Sequence, residues 1–112
     1  MSITCFIEYK IVAHKSEQFK EYAKQWGQII PACGGNLIGY FVPHEGTNDT
    51  AFGLINFDSL ADYEQYRIRL KRDGEANKNF AFANEERFII KENRTFLKCV
   101  PETAQQLNKR LL

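Results

Sequence analysis

The sequence has little of what marks several large classes of protein. Its 15 lysines and arginines nearly balance its 14 aspartates and glutamates, which leaves a net charge of +1. Nucleic-acid binding requires a concentrated basic surface, and this composition has no excess of basic residues to build one. Polar residues also interrupt every apolar stretch well before the roughly 18–20 residues of a membrane span. We therefore expect neither a nucleic-acid partner nor a membrane partner.

Cysteine is scarce, and its spacing suits neither a disulfide framework nor a metal centre. Cys5, Cys33 and Cys99 are far apart and form no Cys-x-x-Cys pair, so neither a zinc knuckle nor a redox dithiol is indicated. We predict that Cys5 and Cys99 are small core residues, and that Cys33, beside two glycines, is exposed. The first residues lack the basic and apolar regions of a secretory signal. These features predict a cytoplasmic protein with reduced thiols.

Apolar residues are abundant and regularly spaced. They make up 44% of the 112 positions, which is enough for one folded domain. Alternating apolar residues predict strands at 3–13, 36–42, 50–57 and 88–100, and apolar residues three and four apart predict helices at about 16–30, 60–72 and 75–86. Ser16 is the predicted N-cap of the first helix and Pro31 its end, while Asp58 and Ser59 are capping candidates for the second. Phe80, in the third helix, is predicted to face inward.

The main elements follow the order β-α-β-β-α-β, which is the ferredoxin-like pattern. We therefore predict an α+β fold with a four-stranded antiparallel sheet and the helices on one face of it. Residues 1–100 are the predicted domain. Residues 101–112 are a predicted C-terminal helical tail, since Pro101 suits a first helical position.

The uncovered face of this sheet is predicted to be apolar. On the second strand Leu37, Gly39 and Phe41 fall on one side, with Ile38, Tyr40 and Val42 on the other, and the third strand carries Phe52 and Leu54 opposite its other apolar residues. Large apolar patches are rare on soluble monomers. Covering about 600 Å² per subunit would contribute on the order of 15 kcal/mol before association costs. We expect a homodimer with the two sheets face to face; the alternative is a monomer whose tail covers this face.

The sequence resembles the NIPSNAP family of dimeric α/β barrels over roughly residues 3–98. The matching residues are Tyr9, Ala13-His14-Lys15, Phe19, Trp26, the segment Gly-Gly-Asn-Leu-Ile-Gly-Tyr-Phe at 34–41, Phe-Asp-Ser-Leu-Ala at 57–61, and Arg67, Leu70 and Asp73. Ala13-His14 stands where the family usually has Pro-Gly, and Ile7 where it often has arginine. The resemblance implies a dimeric ferredoxin-like fold but no single agreed reaction. Related barrels include small monooxygenases, some of which bind haem, and isomerase-like proteins.

Four residues are candidates for binding a small ligand between the sheet and the helices. Tyr9, Trp26 and Tyr40 combine an apolar ring with a polar tip, which suits a small, partly aromatic molecule; plain core packing is the favoured alternative. Arg67 lies on the apolar side of the second helix, where a guanidinium needs a negative partner. It could hold a ligand carboxylate through two hydrogen bonds, although pairing with an acid of the protein is favoured.

The remaining polar residues give weaker indications. His14 and His44 are the only histidines and are better explained as surface residues than as haem or metal ligands, because a metal site needs several converging ligands. We expect no cofactor and no metal. The first and fourth strands are neighbours in the predicted sheet, and the charged residues on their mixed faces are predicted to form a cross-strand ladder. An acid–base role for these residues is the less favoured alternative. The predicted ladder consists of Glu8, Lys10, Lys91, Glu92 and Arg94.

Three hypotheses for function follow. The leading one is a small homodimer that binds a partly aromatic metabolite and acts as a cofactor-independent monooxygenase or isomerase. The alternative is a non-catalytic interaction or scaffold protein. A haem enzyme is the third. A pocket containing a polar atom without a protein partner would favour the first hypothesis, and a pocket filled by side chains would favour the second.

Overall fold

Four strands and three α-helices follow one another along residues 2–104, which are the residues that the computed structural model describes. The elements are β1 (Ile3–Ile11), α1 (Ser16–Ala32), β2 (Asn36–Phe41), β3 (Thr50–Phe57), α2 (Leu60–Arg72), α3 (Gly74–Glu86) and β4 (Ile89–Leu97). This order confirms the predicted ferredoxin-like α+β fold, including the third helix. Within this part of the chain no helix is long and apolar enough to cross a membrane.

The four strands form an open antiparallel sheet in the order β2-β3-β1-β4, which does not close into a barrel. β1 lies in the centre and pairs with both β3 and β4. Its odd-numbered residues are buried beneath the helices, as the alternation predicts. These residues are Ile3, Cys5, Ile7, Tyr9 and Ile11. Alternation along one strand therefore decides which β1 side chains reach the space under the helices.

The ends of several elements differ from the prediction. Ser16 is the first residue of α1 and not its N-cap, because a short 3₁₀ helix, Ala13–Lys15, leads directly into α1. Pro31 lies inside the last turn, and the helix continues to Ala32. β1 and β4 stop at Ile11 and Leu97, before the predicted ends, because a 3₁₀ helix follows each strand closely. Ser59 is confirmed as the cap of α2, since its Oγ accepts a hydrogen bond from the Asp62 backbone N–H at 3.1 Å.

The prediction for Cys33 is wrong, because the turn after α1 folds beneath α2. Cys33 is only 4% exposed, and its carbonyl oxygen accepts a hydrogen bond from Arg69 Nη1 at 3.3 Å. The turn is made by Gly34, whose φ of 102° favours glycine. Cys5 is buried as predicted, whereas Cys99 is only half-buried. The three cysteines are free thiols.

A β-bulge in β2 corrects the predicted faces of that strand. Leu37 pairs with Ile55, but Gly39 pairs with Leu54, so one extra residue is inserted between the two pairs. The alternation is thereby reversed after Leu37. Leu37 and Tyr40 lie on the face that carries the helices, and Gly39 lies on the opposite face. The bulge thus places Tyr40 on the same side of the sheet as Tyr9.

The face of the sheet opposite the helices, here called the open face, is apolar at its centre. Phe6 and Phe52 stack there with ring centroids 5.4 Å apart. Phe41, on the edge strand β2, is 50% exposed. Leu54 lies beside Phe6 in the register of β1 and β3 and is half-buried. The predicted apolar character is therefore present on the open face.

The predicted tail begins as a 3₁₀ helix, Pro101–Thr103, with Pro101 in its first turn. Ala104 follows and is buried. The rest of the predicted tail helix, 105–112, lies outside the described residues. The division into a domain and a helical tail therefore stays a prediction.

Candidate functional site

A cleft lies between the helix-bearing face of the sheet and the three helices. It contains about 360 Å³ of empty space including its mouth, but the centre of a water molecule can reach only about 20 Å³ of it. That is room for about one water molecule. The residues lining the cleft are Cys5, Ile7, Tyr9, Tyr22, Trp26, Ile30, Tyr40, Ile55, Tyr63, Tyr66, Arg67, Leu70, Phe80, Glu92 and Arg94. A ligand larger than water therefore requires side chains at the mouth to move.

All four residues singled out in the sequence line this one cleft. Tyr9 comes from β1, Tyr40 from β2, Trp26 from α1 and Arg67 from α2. The fold therefore brings together residues that are up to 58 positions apart.

The hydroxyl groups of Tyr9 and Tyr40 lie 3.0 Å apart and share a hydrogen bond. Each hydroxyl carries one hydrogen, and the bond between them uses only one of the two. Burial raises the pKa of Tyr9 and that of Tyr40 well above the ordinary value. Both phenols are therefore neutral at pH 7, and the pair retains one hydrogen that it can donate to another group.

Trp26 carries a buried donor without an acceptor. Its side chain lies edge-on to Tyr22, with ring centroids 5.5 Å apart, and 5.0 Å from the ring of Phe80. The residue is 3% exposed, and among the described residues its Nε1 has no hydrogen-bond partner. Burial raises the pKa of Tyr22 to about 12, and the nearby indole N–H of Trp26 offsets part of this rise, although the contact does not meet the distance and angle of a hydrogen bond. An unsatisfied buried donor costs about 1–3 kcal/mol.

Glu92 and Arg94 lie at the rim of the cleft and correct the predicted charge ladder. They face the helices, because Glu92 pairs with Tyr9 and Arg94 with Ile7 in the register of β1 and β4. Arg94 Nη2 lies 3.4 Å from Glu92 Oε2. Burial is the largest single influence and lowers the pKa of the Arg94 guanidinium, but Glu92 together with Tyr63, Cys5 and Tyr9 raises it by more, so the pKa is raised overall.

The other members of the predicted ladder lie on the open face. Glu8 stands opposite Asn93 and Lys10 opposite Lys91, so the two lysines cannot attract each other. Lys10 Nζ instead forms a salt bridge with Asp49 Oδ2 at 3.1 Å. The ladder prediction is wrong because residues 91 and 92 are adjacent in a strand and must point to opposite faces.

Arg67 has no acidic partner within residues 2–104, so the favoured prediction that it pairs with an acid of the protein is wrong. The residue is half-buried and lines the cleft. Burial raises the pKa of the Cys5 thiol, and the charges of Arg94 and Arg67 both oppose that rise. The same two guanidinium groups oppose the rise that burial causes in the pKa of Tyr66. Both cations therefore act on the same part of the cleft.

The histidines lie elsewhere. His14, in the 3₁₀ helix before α1, and His44, in the loop before β3, are exposed, and neither lines the cleft. The described part of the chain contains no group of three or more side chains that could hold a metal ion.

Several cleft residues were not among the sequence candidates. Phe80 was predicted to face inward, and it does contact Trp26, although it remains 37% exposed at the mouth. Tyr22 lies on the buried side of α1 between Phe19 and Trp26, and its spacing from both fits the apolar periodicity that predicted this helix. Glu92 and Arg94 lie two positions apart in the polar middle of β4, residues 91–95, and this spacing was the signal that both belong to one face.

Comparison with known proteins defines the family. The model of the NIPSNAP family matches residues 4–103. No curated protein matches the chain. Among solved structures, an uncharacterized NIPSNAP-like domain protein from Burkholderia xenovorans is 21% identical, with a TM-score of 0.73 over 86% of this chain and 83% of that one.

Two more distant structures share the fold. An antibiotic biosynthesis monooxygenase-like protein from Nitrosomonas europaea is 12% identical, with a TM-score of 0.66 over 89% of this chain and 99% of that one. A dimeric protein of unknown function and ferredoxin-like fold from Bacteroides fragilis is 11% identical, with a TM-score of 0.65 over 85% and 93%. At these identities the likeness shows the fold alone. The family match covers most of the chain, and the chain therefore belongs to the NIPSNAP family.

Proposed function

We propose that this protein binds a small, partly aromatic metabolite in the cleft between its sheet and its helices. The observation that carries the proposal is the buried Nε1–H of Trp26, which finds no acceptor among the described residues. A ligand oxygen would satisfy this donor and remove its cost. The rings of Tyr22 and Phe80 beside the indole offer flat apolar surfaces to the rest of the ligand.

The test follows the indole N–H resonance of Trp26, which is the only tryptophan of the chain. We expect indole-3-aldehyde or 2-naphthol to shift this resonance saturably, with dissociation constants at or below about 1 mM. Trp26→Phe keeps a ring but removes the donor, so it should weaken binding about tenfold by calorimetry. Phe41→Leu, on the open face, is the matched control and should leave the affinity unchanged. No shift with any aromatic probe would refute the proposal.

A more specific proposal is that the protein is an enzyme, either a cofactor-independent monooxygenase or an isomerase. Support comes from the fold shared with the antibiotic biosynthesis monooxygenase-like protein and from Glu92, the one carboxylate among the residues that line the cleft. Glu92 would take a proton from an acidic carbon of the substrate, and Trp26 and the tyrosine hydroxyls would stabilise the resulting anion. In the isomerase the proton returns to a different carbon.

In the monooxygenase the anion reacts with oxygen. A methylene group becomes a carbonyl, one oxygen atom enters the substrate, and the other leaves as water with the two substrate hydrogens. No external reductant is then required. Anthrone is a suitable probe, and its turnover is measured as oxygen uptake. Glu92→Gln should abolish the uptake, whereas Glu8→Gln, on the open face, should retain it; equal rates in both variants would contradict the catalytic role.

A non-catalytic scaffold is the second candidate, and the narrowness of the cleft favours it. Space for only about one water molecule is what a nearly filled interior shows. In that case the aromatic probes leave the Trp26 resonance in place. The same titration therefore decides between the two candidates.

We also infer that two copies associate through the open face. The stacked Phe6 and Phe52 and the half-exposed Phe41 support this assembly, as does the ferredoxin-like relative described as dimeric. Native mass spectrometry should show a dimer of about 26 kDa, twice the 13.0 kDa chain. Phe41→Glu should produce monomer. Leu60→Glu, at an exposed position of α2, should leave the dimer intact. A single 13.0 kDa species for the unaltered protein would refute the inference.

A cytoplasmic location is part of the same proposal. The three free thiols, two of them buried, are compatible with a reducing compartment. Cell fractionation with the tagged chain tests this, and recovery only outside the cytoplasm would contradict it.

A further inference from the structure

The charges of the cleft do not cancel. Three charged side chains line it: Arg67, Arg94 and Glu92. Arg94 and Glu92 form a salt bridge at 3.4 Å. Arg67 is left without an acidic partner among the residues that the structure describes. Two positive charges and one negative charge leave one uncompensated positive charge in a partly dry space.

The neutral polar groups of the cleft add donors and few acceptors. The Nε1–H of Trp26 can only donate, and it is unpartnered. The Tyr9–Tyr40 pair has one hydrogen left to donate. A phenol with the ordinary pKa of 10.0 is neutral at pH 7, and burial raises the pKa of both tyrosines further, so neither carries a negative charge that could repel an anion. Glu92 is the one carboxylate that lines the cleft, and Arg94 occupies it.

We propose that the natural ligand is an aromatic monoanion, a one- or two-ring acid whose carboxylate is held by Arg67 and whose ring lies against Trp26. This inference rests on the proposed function and deepens it, because it specifies the charge and the anchoring group of the metabolite. A planar guanidinium matches a carboxylate through two parallel hydrogen bonds. One carboxylate neutralises the one excess charge, and its oxygens are the acceptors that the surrounding donors lack.

The cleft admits the centre of a water molecule to only about 20 Å³, so a one- or two-ring acid enters by displacing side chains at the mouth, where Phe80 is 37% exposed. The ring walls accept a flat body, and the half-buried Arg67 accepts the charged end without burying it completely. A dianion or a cation would leave an unpaired charge in the cleft.

The experiment compares three probes that differ only in the charged end: 2-naphthoate, 2-naphthamide and 2-naphthylmethylammonium. Calorimetry on the full chain, together with the Trp26 indole N–H resonance, measures each affinity. We expect the naphthoate to bind about 10- to 100-fold more tightly than the amide, and the ammonium probe to bind most weakly. Equal affinity for the naphthoate and the amide would overturn the inference while leaving the aromatic site in place. Failure of all three probes would refute the aromatic site as well.

Substitutions at Arg67 test the anchoring residue. Arg67→Gln should lower the affinity for the naphthoate to that of the amide, and Arg67→Lys should keep part of the preference because it keeps the charge. Arg72→Gln, which removes an exposed cation from the same helix, is the matched control and should keep the full preference. A preference for the naphthoate that survives in folded Arg67→Gln would overturn the role of Arg67. If Arg67→Gln does not fold, the Arg67→Lys variant and the three-probe comparison still decide.

Discussion

The same substitution at two glycines should change stability in opposite directions. Gly35 lies in the turn between α1 and β2, where a Cβ atom would stand 2.6 Å from Ile30 Cγ2 and 3.1 Å from Ile55 Cγ2. Both isoleucines are buried in the core, so neither can swing away into solvent. Forcing an extra carbon into a packed core costs about 1–3 kcal/mol. Gly35→Ala should therefore lower the free energy of unfolding by about that amount.

Gly27 is the matched control, because its surroundings are open. It lies inside α1, and no heavy atom of another part of the fold is within 4 Å of the position its Cβ would occupy. Alanine is favoured over glycine in a helix by about 1 kcal/mol, so Gly27→Ala should raise the free energy of unfolding.

Urea denaturation at one fixed protein concentration measures both variants, since association would make the midpoint depend on concentration. In thermal unfolding, each kcal/mol corresponds to a change of about 4–8 °C in Tm for a domain of this size. The reasoning fails if Gly35→Ala unfolds at the midpoint of the unaltered protein. It also fails if both variants shift in the same direction, because the difference in space around the two positions would then have no effect.

Three further predictions concern the cap, the helix contact and the tyrosines. Ser59→Ala should lose about 1 kcal/mol in urea unfolding because its Oγ caps α2, whereas Ser16→Ala should be nearly neutral; equal losses would contradict the assigned caps. Asn79→Ala should lose about 1–3 kcal/mol, because its Nδ2 donates to the buried carbonyl oxygen of Tyr22 at 3.0 Å, and the exposed Asn84→Ala should change stability by less than about 0.5 kcal/mol. The pKa of Tyr22 is about 12 in the fold, above the ordinary value of 10.0. The free energy of unfolding should therefore stay constant below about pH 10 and fall as the pH rises toward 12. Phenolate absorbance that rises without unfolding would refute this.

Regular periodicity made the fold predictable from the sequence. The alternation in β1 correctly identified its odd-numbered residues as the ones that lie under the helices, because a strand in the middle of a sheet has little freedom to change face. The aromatic spacing of α1 likewise identified the side that packs on the sheet, including Phe19 and Trp26. Capping was predictable at Ser59 and not at Ser16, because a 3₁₀ helix replaced the extended residue that a cap requires.

Features set by tertiary contacts were not predictable. The bulge after Leu37 is fixed by pairing with β3; Gly39 inside β2 is compatible with a bulge but does not by itself locate one. Cys33 is buried because the turn that contains it folds under Arg69, which lies 36 positions away. The sequence could not show that Arg67 lacks an acidic partner. The chain contains many aspartates and glutamates, and only the fold decides whether one of them comes close to the Arg67 guanidinium.

The distribution of unsatisfied polar groups is the strongest argument that the cleft has a function. Elsewhere in the described chain, buried polar side chains are paired: Thr4 Oγ1 donates to Asn56 Oδ1 at 3.3 Å, and Asn79 bonds a helix carbonyl. In the cleft, by contrast, Trp26 has no acceptor and Arg67 has no counter-charge. An unpaired buried N–H costs stability, and a half-buried guanidinium without a counter-charge contributes none, so a protein selected only for stability gains nothing from Trp26 and Arg67 in this cleft. Polar groups without partners that are concentrated at one place are typical of a binding site. An anionic oxygen of a ligand would serve both the Trp26 N–H and the Arg67 guanidinium.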